Sequence, residues 1–234
     1  MLEVIKNILS KLGLFNIFRN LFGNTLTDIR SYFFRKNALK TFNKLMNILD
    51  KENIENFIVF GTLLGAIREK GFIKHDLDID LGVWNNCNFK NLQNILENNG
   101  FYLNSEIQLS NNTSIEYQNY VDRKTKISID FYKFTRLKNK ILYYDFLREE
   151  NMSYSESIKK NGGLKVYCYE YPLYSLKKIN FYDIQCNIFK EYDEFLQKHY
   201  GDNYMIPIKN FSSREISLKQ KYEKDFIGIK KVYK

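Results

Sequence analysis

Leu2, Ile5, Leu9, Leu12, Phe15, Phe18 and Phe22 recur at intervals of three and four, the spacing of one apolar helix face, with an interruption or bend expected near Gly13. A second helix is expected over residues 35 to 50, with Leu39, Phe42, Leu45, Met46 and Leu49 on one side. Phe57-Ile58-Val59-Phe60 then reads as a short buried strand ending at Gly61, and Thr62 to Arg68 as a turn leading into a helix that Gly71 breaks. From Asp78 to Val83 carboxylate and apolar residues alternate, as in a strand with one wet face. Residues 88 to 99 form another amphipathic helix, stopped by Asn99-Gly100.

Strands are expected over Thr113 to Tyr120 and Lys126 to Phe134, where β-branched and aromatic residues dominate. Between 135 and 180 the pattern weakens, with a turn at Asn161-Gly162-Gly163 and a strand over Val166 to Tyr171. A helix follows over 188 to 200, stopped by Gly201-Asp202. This order predicts an α+β fold with a small mixed sheet flanked by helices, plus an N-terminal amphipathic helix. The expected organisation is a helical segment over 1–34, a catalytic domain over 35–210 and a basic C-terminal tail over 211–234.

Composition narrows the class. A chain of 234 residues with 44% hydrophobic and 16% aromatic residues supports one full core. The net charge of +9 suits a polyanionic partner such as a nucleotide, a nucleic acid or an anionic membrane, and equally a merely solvated surface. Neither a zinc-finger spacing nor an RNP-like strand is present, so nucleic acid is not the expected partner. Cys87, Cys168 and Cys186 form no ligand spacing, which fits reduced thiols and a cytoplasmic setting. The first 50 residues hold eight basic against three acidic side chains. With the apolar face, that suits either a membrane-surface helix or one packed on the protein's own core.

The chemistry concentrates in Phe60-Gly61-Thr62-Leu63-Leu64-Gly65 and Asp76-Leu77-Asp78-Ile79-Asp80. On a strand, Asp78 and Asp80 share a face. Two carboxylates held so close repel unless a cation lies between them, and Mg²⁺ or Mn²⁺ would neutralise both while bridging phosphate oxygens. The Gly61 turn opens a helix whose N–H groups face phosphate. Asp130, alone among apolar neighbours, is costly to bury unless it faces that pair, as a third metal ligand or as a base. Asp76 is either a further ligand or a loop acid. Together these features describe a nucleotidyltransferase-type core and a metal-dependent phosphotransferase.

The run Phe60 to Arg68, then Lys70-Gly71-Phe72-Ile73, then Asp76 to Asp80, resembles the signature of the LicD family, which includes bacterial phosphocholine transferases and resembles fukutin-related phosphotransferases. Tyr200-Gly201-Asp202-Asn203-Tyr204-Met205-Ile206-Pro207 is similar to that family's closing motif. The resemblance implies transfer of a phosphorylated alcohol from a CDP-linked donor, CDP-choline or similar, onto a sugar of a surface glycan such as capsule, lipopolysaccharide or teichoic acid. The acceptor can be lipid-linked, with the N-terminal helix resting on the inner face of the membrane. It makes Asp78, Asp80 and Asp130 the catalytic and metal-binding set, gives Gly61 and Thr62 the donor phosphate, and makes Arg68 a phosphate clamp or a helix-surface charge. The pattern departs at Lys74, His75 and Leu77, so it fixes neither head group nor acceptor. His75 stands there as a substrate contact or a solvated loop residue, and His199 as a structural one. Rival functions are nucleotidyl transfer with release of pyrophosphate, and a non-catalytic glycan- or membrane-binding relative.

Overall fold

A computed structural model describes residues 15–150, 152–208 and 213–233, with side chains from residue 28 onward, Ser213 excepted. Within these residues the two expected N-terminal helices are one, α1 (Phe15–Lys51). The stretch contains no proline, and Gly23 costs a helix interior only about 1 kcal/mol, so the polar joint around residues 24–30 does not break it. The apolar face expected over residues 1 to 24, and the bend near Gly13, lie outside the described side chains. From residue 31 on, Ser31, Phe34, Ala38, Thr41, Phe42, Leu45 and Leu49 are buried at helical spacing. Phe42 meets Phe72 and Phe181 edge-on. Among the described residues no helix is long and apolar enough to cross a membrane.

The fold is α+β, but its sheet is larger than the small one expected. Strands β1 (Asn56–Ile58), β2 (Asp78–Trp84), β3 (Phe101–Leu109), β4 (Ile115–Asp122), β5 (Ser128–Arg136), β6 (Lys140–Leu147), β7 (Leu164–Pro172) and β10 (Lys221–Val232) form one eight-stranded sheet. A separate hairpin joins β8 (Leu176–Phe181) to β9 (Ile184–Phe189). The sheet is mixed because β2 runs parallel to β5, while its other pairings are antiparallel.

Six strands close on themselves in the order β5, β4, β3, β10, β7, β6, and β6 returns to β5 from Phe134↔Tyr143 to Arg136↔Ile141. One edge of β5 carries β2 from Ser128 to Phe134. Its other edge is shared: β4 pairs with residues 128–132 and β6 takes over at 134. The barrel holds its own apolar cluster of Ile107, Leu109, Phe146, Leu164 and Val166. Gly228 admits Phe146, since a Cβ there would lie 2.5 Å from that ring.

Of the basic tail expected over 211–234, residues 221–232 are therefore a strand of the sheet. β10 pairs with β3 on one side and with β7 on the other. Several other boundaries move. The strand expected over 57–60 ends at Ile58, and Phe60 begins helix α2 (Phe60–Leu64), which continues as a π-helical turn, Gly65–Glu69. Helix α3 (Phe89–Asn98) is capped by Asn88, whose Oδ1 accepts from the N–H groups of Lys90 and Asn91. Helices α4 (Tyr154–Asn161), α5 (Tyr192–Tyr200) and α6 (Ser213–Ser217) complete the set.

Candidate active site

The site begins at the elbow between β1 and α2. Phe60 has φ 43, a left-handed conformation that an aromatic residue adopts only where packing imposes it. Its ring is held by Tyr132, Tyr143, Phe195 and His199, with centroids 4.6 to 5.6 Å away. After the π-helical turn the chain doubles back: the Gly71 N–H donates to Gly65 O at 3.3 Å, and a Cβ on Gly65 would come within 2.5 Å of Gly71 O. Close backbone approach thus explains Gly65, and a Cβ on Gly71 would come within 2.9 Å of the Tyr182 hydroxyl. Arg35 of α1 donates to Lys74 O at 2.8 Å and the Phe72 N–H donates to the Tyr182 hydroxyl oxygen at 3.1 Å, so the returning loop is pinned from two sides.

The loop delivers Asp76 beside Gly61. A Cβ on Gly61 would lie 3.0 Å from Asp80 Oδ2 and 3.6 Å from both Asp76 oxygens. Thr62 is buried and spends both polar groups on Asp80: its N–H donates to Asp80 Oδ2 at 3.3 Å, and its Oγ1 accepts the Asp80 N–H at 2.8 Å. Thr62 therefore positions Asp80. Arg68 donates to Tyr204 O at 3.0 Å and to Glu69 at 2.8 Å, tying α2 to the closing motif. His75 is exposed.

The β2–β5 register sets Asp80 opposite Asp130. Tyr132 Oη lies 3.3 Å from Asp80 Oδ1 and 3.2 Å from Asp130 Oδ2, linking the two carboxyls. Asp130 is otherwise occupied, accepting from Asn119 Nδ2 and the Tyr117 hydroxyl. Burial raises the carboxyl pKa of all four acids. Asp76 reaches about 7 through burial, and Asp78 about 7 through burial and then repulsion from Asp130 and Asp76. Asp80 is pushed well up by burial and by its three acidic neighbours. Burial likewise raises Asp130, against the hydrogen bonds it receives.

These groups open on a cleft of about 300 Å³. Asp76, Asp78 and Asp80 line it beside Gly61, and Tyr132, Tyr143 and Tyr200 form aromatic wall. Asp130 lies behind that wall, not on it. Asp145 and Ser217 line the cleft too, and neither was singled out from the sequence. Asp145, set in Tyr143-Tyr144-Asp145-Phe146, carried the same signal as Asp130, an acid within an aromatic strand. His199 contributes a neutral ring, since burial holds its pKa down at about 3. It stacks on Tyr169 at 4.4 Å and meets the Tyr171 hydroxyl through Nε2.

No lysine or arginine lines the cleft among the described residues. Its walls are acidic while the whole chain carries +9. A phosphate would enter such a space only together with a cation. The donor set fits a hard divalent ion: every candidate ligand is a carboxylate oxygen, and Asp76 Oδ2 is buried without a hydrogen-bond partner. Among the described residues no three acidic, His or Cys side chains are already gathered as a metal cage. Mg²⁺ commonly uses one or two carboxylates and completes its shell with substrate phosphates and water. The arrangement suits an ion that arrives with its substrate.

Gly61→Ala tests the crevice. The added methyl meets Asp80 Oδ2 and Asp76, so Mg²⁺-supported nucleotide binding should weaken by about tenfold or more, equivalent to roughly 1.4 kcal/mol, with melting temperature little changed. Unaltered affinity in calorimetry would place the ligand elsewhere.

The chain matches, over residues 53–191, the family model described as LicD/FKTN/FKRP, nucleotidyltransferase domain. It is 31% identical over 138 residues to an uncharacterized protein of Rickettsia prowazekii (strain Madrid E), a stretch covering 59% of this chain and 44% of that protein. The match thus spans less than half the length of this relative. The family stretch contains Asp76, Asp78, Asp80, Asp130 and Asp145; α1, His199, Tyr200, Ser217 and β10 lie outside it.

Proposed function

The chain belongs to the LicD/FKTN/FKRP nucleotidyltransferase-domain family, a membership that points to a glycan-modifying transferase, and from this premise we propose that it moves a phosphorylated alcohol from a CDP-linked donor to a glycan hydroxyl, on a nucleotidyltransferase-type core. The observation that carries the proposal is the acidic cleft without lysine or arginine, which needs a cation before a diphosphate can occupy it. Asp78 and Asp80, with Asp76 beside them, would hold Mg²⁺ or Mn²⁺. When bound, the ion supplies neutralisation of the charge that develops on the transferred phosphoryl group.

The chain's own residues do the rest. Thr62 fixes Asp80 through two contacts, one to its carboxylate and one to its backbone N–H, which keeps it oriented before substrate arrives. Gly61 leaves room for donor oxygens next to the carboxylates. Tyr132 joins Asp80 to Asp130, so Asp130 supports the ligand pair from behind the wall. The aromatic wall excludes water and offers faces on which a base or head group can rest.

The test is a panel of CDP-linked choline, ethanolamine, glycerol and ribitol with Mg²⁺ or Mn²⁺, followed by calorimetry and product analysis. Metal-dependent binding and release of CMP are expected, with Asp78→Asn folded and inactive. The family description also names nucleotidyl transfer, and release of pyrophosphate from a nucleoside triphosphate would favour that reaction instead. Absence of metal-dependent binding of any of these nucleotides would leave a non-catalytic relative.

A further inference from the structure

The site has a second acid apart from the metal-facing group. Asp145 lies within β6, beyond the part of that strand paired with β5 and opposite Tyr167 of β7, and it lines the cleft. Two contacts aim it: Ser217 Oγ donates to Oδ2 at 2.5 Å, and the Phe146 N–H donates to Oδ1 at 2.8 Å. Ser217 in turn lies 2.9 Å from the Tyr169 hydroxyl, and Tyr169 stacks on His199. Each carboxylate oxygen retains a lone pair, so Asp145 can accept one more hydrogen bond from the cleft.

Asp130, the acid that the sequence pointed to as a base, is placed differently. Its oxygens take hydrogen bonds from Asn119, Tyr132 and Tyr117, and it does not line the cleft. Asp76 and Asp80 flank Gly61, and on the functional reading these two and Asp78 would serve the cation. Asp145 is the remaining acid on the wall. Resting on the functional reading above, we propose that Asp145 is the catalytic base that takes the proton from the acceptor hydroxyl, with Ser217 as its positioning residue.

The step balances. The acceptor oxygen forms a bond to the donor phosphorus as its proton passes to Asp145. The bond from that phosphorus to the CMP oxygen breaks, and the electron pair leaves with CMP. Asp145 then returns the proton to water. Burial raises the Asp145 carboxyl above the usual range, against the Ser217 and Phe146 contacts, which makes its conjugate base stronger than an exposed aspartate. A carboxylate oriented by a hydroxyl that is itself held by a third group is the general arrangement of an activated base.

The experiment uses the full chain with Mg²⁺, the CDP-linked donor that releases CMP most rapidly, and methyl glycosides as surrogate acceptors. Transfer is read by ³¹P NMR and donor affinity by calorimetry. Asp145→Asn should cut transfer by on the order of 10²–10³-fold with donor affinity unchanged. Asp145→Ala should recover at least about tenfold of the loss when formate is added, a rescue that a purely structural role would not give. Ser217→Ala should lose about tenfold, as an orienting contact does. Transfer by Asp145→Asn at about the wild-type rate, absence of formate rescue, or a loss that follows donor affinity or head group would each overturn the assignment. A wild-type chain that releases no CMP from any donor would instead overturn the functional reading, and the assignment with it.

Discussion

Asp80→Asn should abolish turnover and at the same time make the unliganded protein more stable. Loss of one charged ligand from the cleft should lower transfer by on the order of 10³-fold. The fold should survive, because the Thr62 Oγ1 contact is to the backbone N–H of residue 80, and an amide oxygen can still accept from the Thr62 N–H. What disappears is an acid whose ionisation is opposed by burial and by Asp78, Asp130 and Asp76. A relief of about 1 kcal/mol would raise the melting temperature by about 2–4 °C.

The sign of the pH dependence follows from the direction of the shifts. The carboxyls of Asp76 and Asp78 are raised from 3.8 to about 7, so between those values the folded state binds protons that the unfolded state does not. Stability of the unliganded wild type from these groups is therefore full below the unfolded value and is lost as pH rises through about 7. His199, lowered from 6.5 to about 3, acts in the opposite direction over much of the same window but is a single group. The advantage of Asp80→Asn should be visible near pH 8 and shrink near pH 5. Scanning fluorimetry at both values, with and without Mg²⁺, decides the matter. A variant that melts lower than wild type at the higher pH would contradict the electrostatic account.

Removal of residues 219–234 should abolish cooperative unfolding. β10 fills the seam between β3 and β7, and without it both would expose unpaired edges and the barrel cluster would open on one side. The expected loss is comparable with the whole marginal stability of a domain, about 5–15 kcal/mol. Circular dichroism on heating should show a broad, shallow change in place of a sigmoid. A milder probe is Gly228→Ala, whose Cβ would displace Phe146, at a cost of about 1–3 kcal/mol. A truncated protein with a sharp melt near the wild-type temperature would mean that β10 is an accessory to a barrel already stable.

The carboxylate pair was legible because strand geometry converts a spacing of two into a shared face, although β2 has no wet face: it is buried from Ile79 to Trp84, Asp80 included. Asp130 was legible as an acid among apolar neighbours, and the parallel register places it opposite Asp80. β3 was missed for a local reason. Its alternation is broken by irregular register between Leu103 and Ser105, and Ser105 and Glu106 are buried, so polar residues stand where a period of two expects apolar ones. β10 was read as a tail because Lys221, Lys224, Lys230 and Lys231 give it the composition of a solvated segment. Its partners lie more than 50 residues away at the nearest, a distance that local pattern does not sense. Barrel closure is hidden for the same reason, since β6 meets β5 over only three residue pairs.

Two contacts described above reach the site from outside the stretch shared with the family: Arg35 of α1 on the Lys74 carbonyl, and Ser217 on Asp145. The stretch that matches the family model is therefore smaller than the folded unit. A minimal protein cut at residues 53 and 191 would keep Asp76, Asp78, Asp80, Asp130 and Asp145 yet lose the helix that steadies the Asp76 loop, the serine that contacts Asp145 and the strand that closes the barrel. Relatives matched only over the central stretch would need those three supports from sequence outside it. Comparing how each one braces the loop and closes the ring should separate lineages that a comparison of their aspartates would merge.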